Sequence, residues 1–319
     1  MSAFFVIAWN SFRELLRQPV WGVVLAGMLT LIVLLANVSY FGFGEEARLV
    51  KTTALSIVLL AGLLSAVLSA TISTAQEIRS GTAVTLLAKP VGRARFLLAK
   101  YCGLAVSLTV QTGAGLLTAL LASRMAFDAS GSPDWLALGV FVCAPLLAVR
   151  AGAASHYFFR RSFCSDAGLA LVAAVAAAFV VINFFDRHGA AQPFGAGVDW
   201  RMFPAGLLVW LAVLVLCALA LACATRLALL PTLLICSGLF VLGLMSDYLV
   251  GRAARGGSAL AAVAHTLLPN WQLFWVADLL GGTTAVPWSY LGLSAGYALA
   301  YVVLALSLAL LLFENRDLA

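Results

Sequence analysis

Long runs of apolar residues follow one another along almost the whole chain, and short polar segments separate them. Each run holds about 20 residues or more, which is the length an α-helix needs to cross the hydrocarbon core of a bilayer. The runs do not alternate between apolar and polar residues, so they favour spanning helices over the strands of a β-barrel. The pattern predicts one all-α, polytopic membrane domain over residues 1–319 with eight spans. The predicted spans are 20–43, 52–74, 99–123, 135–159, 166–185, 203–225, 227–250 and 288–313.

The first residues have a different pattern from the spans that follow. Large apolar side chains recur there at helical spacing, with charged and amide residues between them. These residues are Phe5, Trp9, Phe12 and Leu16. A helix with one apolar and one polar face is typical of a segment that lies in the membrane interface. We therefore expect an interfacial helix over 2–17.

Composition agrees with a membrane protein and excludes a soluble one. The chain is 63% hydrophobic and 10% charged, with a mean hydropathy of +1.05. Soluble domains are about 45–50% apolar and about 25% charged. A soluble domain of roughly 300 residues buries only about 75% of its unfolded surface, so it could not hide this much apolar surface. No basic stretch with interleaved aromatic residues stands clear of the spans, and we expect no nucleic-acid partner.

The distribution of basic residues predicts the orientation. With eight spans, 11 of the 19 Lys and Arg residues fall in loops on the side of the N-terminus. Basic residues accumulate in cytoplasmic loops, so both termini are predicted to be cytoplasmic. Loss of one span would move the C-terminus outside. The long loop 251–287 is then an outer loop, within which 270–275 is expected to form an amphipathic or re-entrant helix at the membrane surface.

Few charged or amide residues lie inside the predicted spans. Arg150 lies within the span 135–159, and Gln111 lies within the span 99–123. An ionisable residue inside a span suggests a function, so these two residues form a candidate intramembrane polar site. Pairing of Arg150 with Gln111 or Asn183, a solvated cavity and contact with a substrate all stay open. No group of Cys, His and acidic residues has the spacing of a metal site, and we expect neither a metal site nor a catalytic group.

The segment 76–97 is the most unusual part of the chain. The charge pattern predicts that it is cytoplasmic, and it is too short to fold alone. Thr82 is a candidate cap for a short helix whose apolar side chains, including Leu86 and Leu87, would face the cytosol. Pro90 would end that helix. A short apolar helix outside the membrane needs a surface to pack against, and a partner protein is the natural candidate.

The sequence around this segment resembles that of the integral-membrane permease subunits of ABC-2-type ATP-binding-cassette transporters. The stretch EIRSGTAVTLLAKPVGRARFLLAKY, from Glu77 to Tyr101, looks like the family's E-x-x-x-G-T…L-L…P-x-x-R…F…K-Y segment. The sequence LPNW at 268–271 and the terminal FENRD at 313–317 support the resemblance. The positions that match the family's ATPase-docking segment are Glu77, Gly81, Thr82, Leu86, Leu87, Pro90 and Arg93.

The resemblance implies a function and a set of partners. In that family a cytoplasmic coupling helix docks on a separate nucleotide-binding subunit, and permease subunits pair as homo- or heterodimers in the bacterial inner membrane. The chain has no G-x-x-x-x-G-K-[ST] motif, so no cofactor is expected on it, and ATP and Mg would bind the partner ATPase. The family commonly has six spans, and 135–185 looks like an inserted helical pair. The alternatives are an ion-coupled secondary transporter and a membrane-embedded enzyme.

Overall fold

The computed structural model of the chain describes residues 3–37, 46–79, 92–125, 134–281 and 285–314. These residues are mostly helical, and their β-structure is one isolated bridge between Phe185 and Ala191. The helices are α1 (Ala3–Arg17), α2 (Pro19–Ala36), α3 (Glu46–Arg79), α4 (Arg93–Met125), α5 (Trp135–Phe159), α6 (Phe163–Ile182), α7 (Met202–Ala224), α8 (Leu229–Leu244), α9 (Arg252–Arg255), α10 (Ala259–Leu267) and α11 (Trp288–Glu314).

Seven of the described helices, α2 to α7 and α11, are long and apolar enough to cross a membrane. The prediction of an all-α polytopic membrane protein is confirmed. The predicted bounds are close for α5, which covers the predicted span 135–159, and for α7. The helices α3 and α4 run well beyond their predicted spans, because polar residues at their ends continue the helix after the apolar run has ended.

The predicted span 227–250 is helical but interrupted in the structure. Its helix, α8, has 16 residues and is followed by a π-helical turn at Asp247–Gly251. At 1.5 Å per residue α8 is about 24 Å long, short of the roughly 30 Å of hydrocarbon. The chain near Pro269 lies so close to Gly243 that a Cβ on Gly243 would be 2.2 Å from the Pro269 carbonyl oxygen. The predicted span 227–250 thus corresponds to the shorter apolar helix α8, after which helical turns continue as far as Arg255, while the other seven predicted spans correspond to long apolar helices.

The centre of the bundle consists of α3, α4 and α7, which pack on one another. Their glycines allow this close approach: a Cβ on Gly62 would lie 2.4 Å from Val213 Cγ2, and a Cβ on Gly206 would lie 2.1 Å from Leu116 Cδ1. Small residues at helix interfaces let membrane helices pack closely. The polar but small Ser65, on α3, is also buried here.

The helices α5 and α6 form a hairpin that packs mainly on itself. Arg160 ends α5 with a positive φ of 53°, which turns the chain directly towards α6. Within the hairpin, a Cβ on Gly152 would lie 2.6 Å from Ala167 Cβ. The hairpin meets the rest of the bundle through α4, α2 and α1.

The ends of several helices meet at one end of the bundle. Ile7 of α1, Phe96 of α4 and Phe313 of α11 belong to one buried cluster. The guanidinium of Arg226, just after α7, donates to the Leu312 carbonyl at 2.7 Å. The first and last described helices therefore reach the same end of the bundle as the two helix ends that flank 80–91. The segments between α8 and α11 return the chain to the opposite end.

Candidate coupling face and intramembrane polar residues

The predicted docking residues fall on both sides of a boundary in the described chain. Gly81, Thr82, Leu86, Leu87 and Pro90 lie outside the described residues. Glu77 lies in the last turns of α3, and Arg93 is the first residue of α4, with an exposed side chain. The structure therefore describes the two helices that hold the segment 80–91 at its ends.

Both of these helices are longer than a membrane requires. The helix α3 has 34 residues and α4 has 33 residues, which correspond to about 50 Å each. The hydrocarbon core is only about 30 Å thick. The apolar part of α3 ends at Thr74, and the helix continues to Arg79. Because α3 and α4 also pack side by side, they form a continuous support for 80–91.

The start of α4 is held by a compact cluster that we call the flank cluster, made of Ile7, Phe96, Ala99 and Phe313. The rings of Phe96 and Phe313 stack with their centroids 6.1 Å apart. The side chain of Lys100 is 2% exposed, and its ammonium lies 5.8 Å from the Phe96 ring centroid. A cation over an aromatic face is favourable where water is excluded. The flank cluster thus connects the start of α4 to both terminal helices.

The helix α1 crosses α4 at very short distance. A Cβ on Gly103 would lie 2.5 Å from the carbonyl oxygen of Ala8, so only glycine fits this crossing without displacing α1. The buried face of α1 includes Ile7 and Leu15, whereas Trp9 is 56% exposed. An aromatic ring at the polar boundary of a bundle is typical of the membrane interface. The packing agrees with the helix predicted over 2–17.

The structure does not bring Arg150 and Gln111 together. Gln111 is fully buried, and its amide nitrogen donates to Ser65 Oγ at 2.7 Å. Arg150 has an exposed side chain on α5, and it has no hydrogen-bond or ion-pair partner in the part of the chain that the structure describes. Asn183, the other residue considered as a partner, donates to the Phe179 carbonyl instead. The candidate site thus separates into a buried hydrogen bond between the Gln111 amide and the Ser65 hydroxyl, and an outward-facing arginine.

A buried ion pair that sequence reasoning missed joins the hairpin to the bundle. The Nε of Arg124, at the end of α4, donates to Asp134 Oδ2 at 2.9 Å, and both side chains are at most 3% exposed. Asp134 also caps α5 by accepting the Ala137 N–H, and Arg124 donates to the Ile182 carbonyl at the end of α6. One arginine therefore connects the ends of three helices.

A second ionic group connects α3 to the start of α7. Arg201 donates to both carboxylate oxygens of Asp199, at 2.8 and 2.9 Å, and Lys51 donates to one of them. Although partial burial raises the pKa of Asp199, the hydrogen bonds from Arg201 and Lys51 outweigh that effect and lower it to about 2. The carboxylate is therefore ionised at neutral pH.

The structure does not form the amphipathic or re-entrant helix that was expected at 270–275. A short 3₁₀ turn, Trp271–Phe274, replaces it, and both of these aromatic side chains are 2% exposed. The Trp271 indole donates to the Leu239 carbonyl at 3.2 Å, and the Asn270 N–H donates to the Tyr297 hydroxyl at 2.8 Å. These aromatic side chains pack against Phe240 of α8 and Tyr297 of α11, a contact that the sequence pattern alone could not indicate.

Asp247 fixes this loop to the end of α8. Its carboxylate oxygens lie 2.9 Å from His265 Nε2 and 3.2 Å from Asn270 Nδ2. The hydrogen bond from His265 lowers the pKa of Asp247 below its usual value. No group of three or more His, Cys, Asp and Glu residues that could hold a metal ion occurs among the described residues. We interpret this cluster as a structural clasp.

No protein-family model matches the chain, and no curated protein matches it significantly. A function is therefore inferred from the residues and geometry of the chain itself. The features that bear on it are the long helices around 80–91, the flank cluster and the outward-facing Arg150.

Proposed function

We propose that the chain is the membrane-spanning permease subunit of an ABC-2-type transporter. In this proposal the segment 76–97 docks on a separate nucleotide-binding subunit, which binds ATP and Mg and hydrolyses the ATP. The permease pairs with a second permease subunit and moves an unidentified substrate across a bacterial inner membrane. Both termini then lie in the cytoplasm, on the side of the coupling segment.

The observation that carries the proposal is the support around 80–91. Two adjacent helices of about 50 Å continue towards this segment from the centre of the bundle. The flank cluster anchors α4 beside it through Phe96, Ile7 and Phe313. A force applied to the segment would therefore reach α3, α4 and both terminal helices together. A coupling segment needs this kind of mechanical connection, whereas a simple linker does not.

The sequence of the same region supports the proposal independently. Glu77 to Tyr101 resembles the coupling region of the permease family, and its apolar Leu86 and Leu87 suit a groove on a partner protein. Because the chain lacks a phosphate-binding loop motif, ATP-driven transport requires a second kind of subunit. The proposal assigns ATP hydrolysis to that subunit and no enzymatic activity to this chain.

Arg150 bears on the main alternative, an ion-coupled secondary transporter. Such a transporter binds its coupling ion near the middle of the membrane, inside the bundle. Arg150 faces outwards from α5, and Gln111 already bonds Ser65. The ABC-2 proposal needs no intramembrane charged site, so these positions favour it over the alternative.

The test is co-purification of a nucleotide-binding subunit with the tagged full-length chain from its native membranes. The double variant Leu86→Asp/Leu87→Asp places two charges on the apolar docking surface, and we expect most of the ATPase to be lost from the purified complex. The matched control is Leu260→Asp/Val263→Asp, because these residues are exposed on α10 in the outer loop. The proposal fails if the docking variant keeps its ATPase as the unaltered chain does.

A further inference from the structure

An open cavity of about 660 Å³ lies between α1 and the turn that connects α5 to α6. Its most prominent feature is charge, since four arginines line it. They are Arg13 and Arg17 from α1, and Arg160 and Arg161 from the turn. One carboxylate, that of Asp166, also lines the cavity. The lining is therefore strongly cationic at neutral pH.

Most of this positive charge is not paired within the part of the chain that the structure describes. The side chains of Arg13, Arg17 and Arg160 make no hydrogen bond or ion pair with any residue that the structure describes. Arg161 lies over the Phe159 ring, 5.9 Å from its centroid. The single carboxylate is already engaged, because Asp166 accepts hydrogen bonds from Ser155 and Ser165. The cavity thus has several guanidinium groups available for an anion.

Hydroxyl groups and a helix end complement the arginines. Ser162 and Ser165 line the cavity at the start of α6, a helix of 20 residues. The first N–H groups of a helix and its dipole favour a negatively charged group at that position. Guanidinium groups form paired hydrogen bonds with phosphate oxygens. The polar chemistry of the cavity therefore suits a phosphate group.

The surroundings of the cavity place it at the membrane interface. Tyr157 and Phe158, at the end of α5, are 81% and 73% exposed. Exposed aromatic rings at the ends of spans are typical of the headgroup region. Phe12, Leu16 and Leu169 add an apolar wall to the cavity. A soluble phosphate has no use for such a wall, but the first carbons of an acyl chain would pack on it.

We infer that this cavity binds the phosphate of an anionic phospholipid at the polar end of α5 and α6. The arginines bind the phosphate, and the apolar wall accommodates the start of an acyl chain. Basic pockets between spanning helices are known to bind anionic headgroups. The bound lipid would connect α1 to the α5–α6 hairpin, two parts of the chain that otherwise make a small contact. This inference does not depend on the proposed transport function.

The test is lipid binding to the full-length chain after delipidation in detergent, measured by native mass spectrometry. The probes are phosphatidylglycerol and phosphatidylcholine with identical acyl chains. We expect clear preference for phosphatidylglycerol in the unaltered chain. In Arg13→Gln/Arg160→Gln its affinity should fall about 30-fold, since each basic residue near an anionic surface contributes roughly a factor of five. Phosphatidylcholine binding should not change.

The matched control is Arg252→Gln/Arg255→Gln, which removes the same charge from α9 and should keep the preference. Equal affinity of the unaltered chain for the two lipids overturns the inference, as does an unchanged phosphatidylglycerol affinity in Arg13→Gln/Arg160→Gln. Inorganic phosphate is the competitor that distinguishes the two sources of phosphate. If it displaces the lipid completely, the cavity belongs to a soluble phosphate and the lipid assignment is wrong.

A measurement on the unaltered chain covers the case in which the double variant does not fold. Binding through exposed arginines is screened by salt. The phosphatidylglycerol affinity should therefore fall as the salt concentration rises, while the phosphatidylcholine affinity changes little. A phosphatidylglycerol affinity that is independent of salt would contradict a site built on these arginines.

Discussion

The central helices and the α5–α6 hairpin are all apolar enough to span a membrane but are held in different ways. In the spans of α3, α4 and α7, 61–72% of residues are buried within the chain, against 28% in α5 and 33% in α6. The central helices are fixed by close contacts on several sides. The hairpin packs on itself and meets the bundle through fewer contacts, among them the buried pair Arg124–Asp134.

This difference separates two roles that hydropathy cannot distinguish. A residue that faces lipid and a residue that faces another helix can have the same apolar character, because lipid tails and side chains are similar environments. The flanks of the proposed coupling segment belong to the central helices α3 and α4. The hairpin is the peripheral part, and it lines the cationic cavity. We therefore expect perturbations of the two regions to have separable effects.

The largest expected effect is loss of the ion pair that holds the hairpin. In Asp134→Ala the guanidinium of Arg124 stays buried without its anion, and α5 loses its cap. Breaking a buried pair in this way costs about 3–5 kcal/mol. Hydrogen–deuterium exchange should become faster in α5 and α6, with little change in α7.

The control for this prediction removes both charges together. In Arg124→Met/Asp134→Leu no unpaired charge is left, so most of the protection of α5 and α6 should return. Equal acceleration of exchange in α7 and in the hairpin would show that the two regions are one cooperative unit. The hairpin would then not open separately from the central helices.

The second-largest expected effect is a loss of stability when the contact between α3 and α7 is overpacked. A side chain at Gly62 would overlap Val213, whereas a Cβ on Gly139, on the exposed side of α5, meets nothing within 4 Å. Overpacking a well-packed core costs about 1–3 kcal/mol. We therefore expect Gly62→Val to lower the melting temperature in detergent, and Gly139→Val to leave it unchanged. Equal melting temperatures for the two variants would contradict the central position of α3.

The smallest effect is the pH dependence of the contact between α3 and the start of α7. The folded pKa of Asp199 is about 2, below the usual value of about 3.9. Its ionic contacts therefore stabilise the chain above about pH 4, and this stabilisation is lost as the pH falls towards 2. Asp199→Asn should lower the melting temperature at pH 6, and the difference from the unaltered chain should shrink as the pH falls to 3. A difference that does not vary with pH would contradict this assignment.

Much of the fold could be predicted from the sequence because apolar runs of sufficient length have few alternatives in a membrane. The predicted span 135–159 and the helix α5 coincide for this reason. The predicted span 227–250 differs in the structure because α8 is interrupted at Met245, close to the point where the fold brings Pro269 against Gly243. That contact joins residues far apart in sequence, and no local pattern records it.

The pairing of polar side chains was equally difficult to predict from the sequence. Arg124 and Asp134 belong to two different predicted helix ends, and the sequence does not predict how these ends meet, so their pairing could not be foreseen. The face of α5 that Arg150 occupies depends on how the hairpin docks, and the pairing considered for it does not occur in the structure. The proposed coupling segment is the opposite case, since its candidate residues come from a local motif and only its flanks lie among the described residues.

The most direct test of the permease assignment is a contact measured at Leu86 itself. A photo-crosslinking amino acid at position 86 of the full-length chain, activated in native membranes, should form an adduct with a nucleotide-binding subunit. The same amino acid at Leu260, which is 85% exposed in the outer loop, should not. We expect an adduct with the crosslinker at position 86 but not at position 260, and we expect that adduct to be lost in the presence of Leu87→Asp. Membranes that contain the chain at its normal level but in which position 86 forms no adduct with any nucleotide-binding protein would contradict the permease assignment.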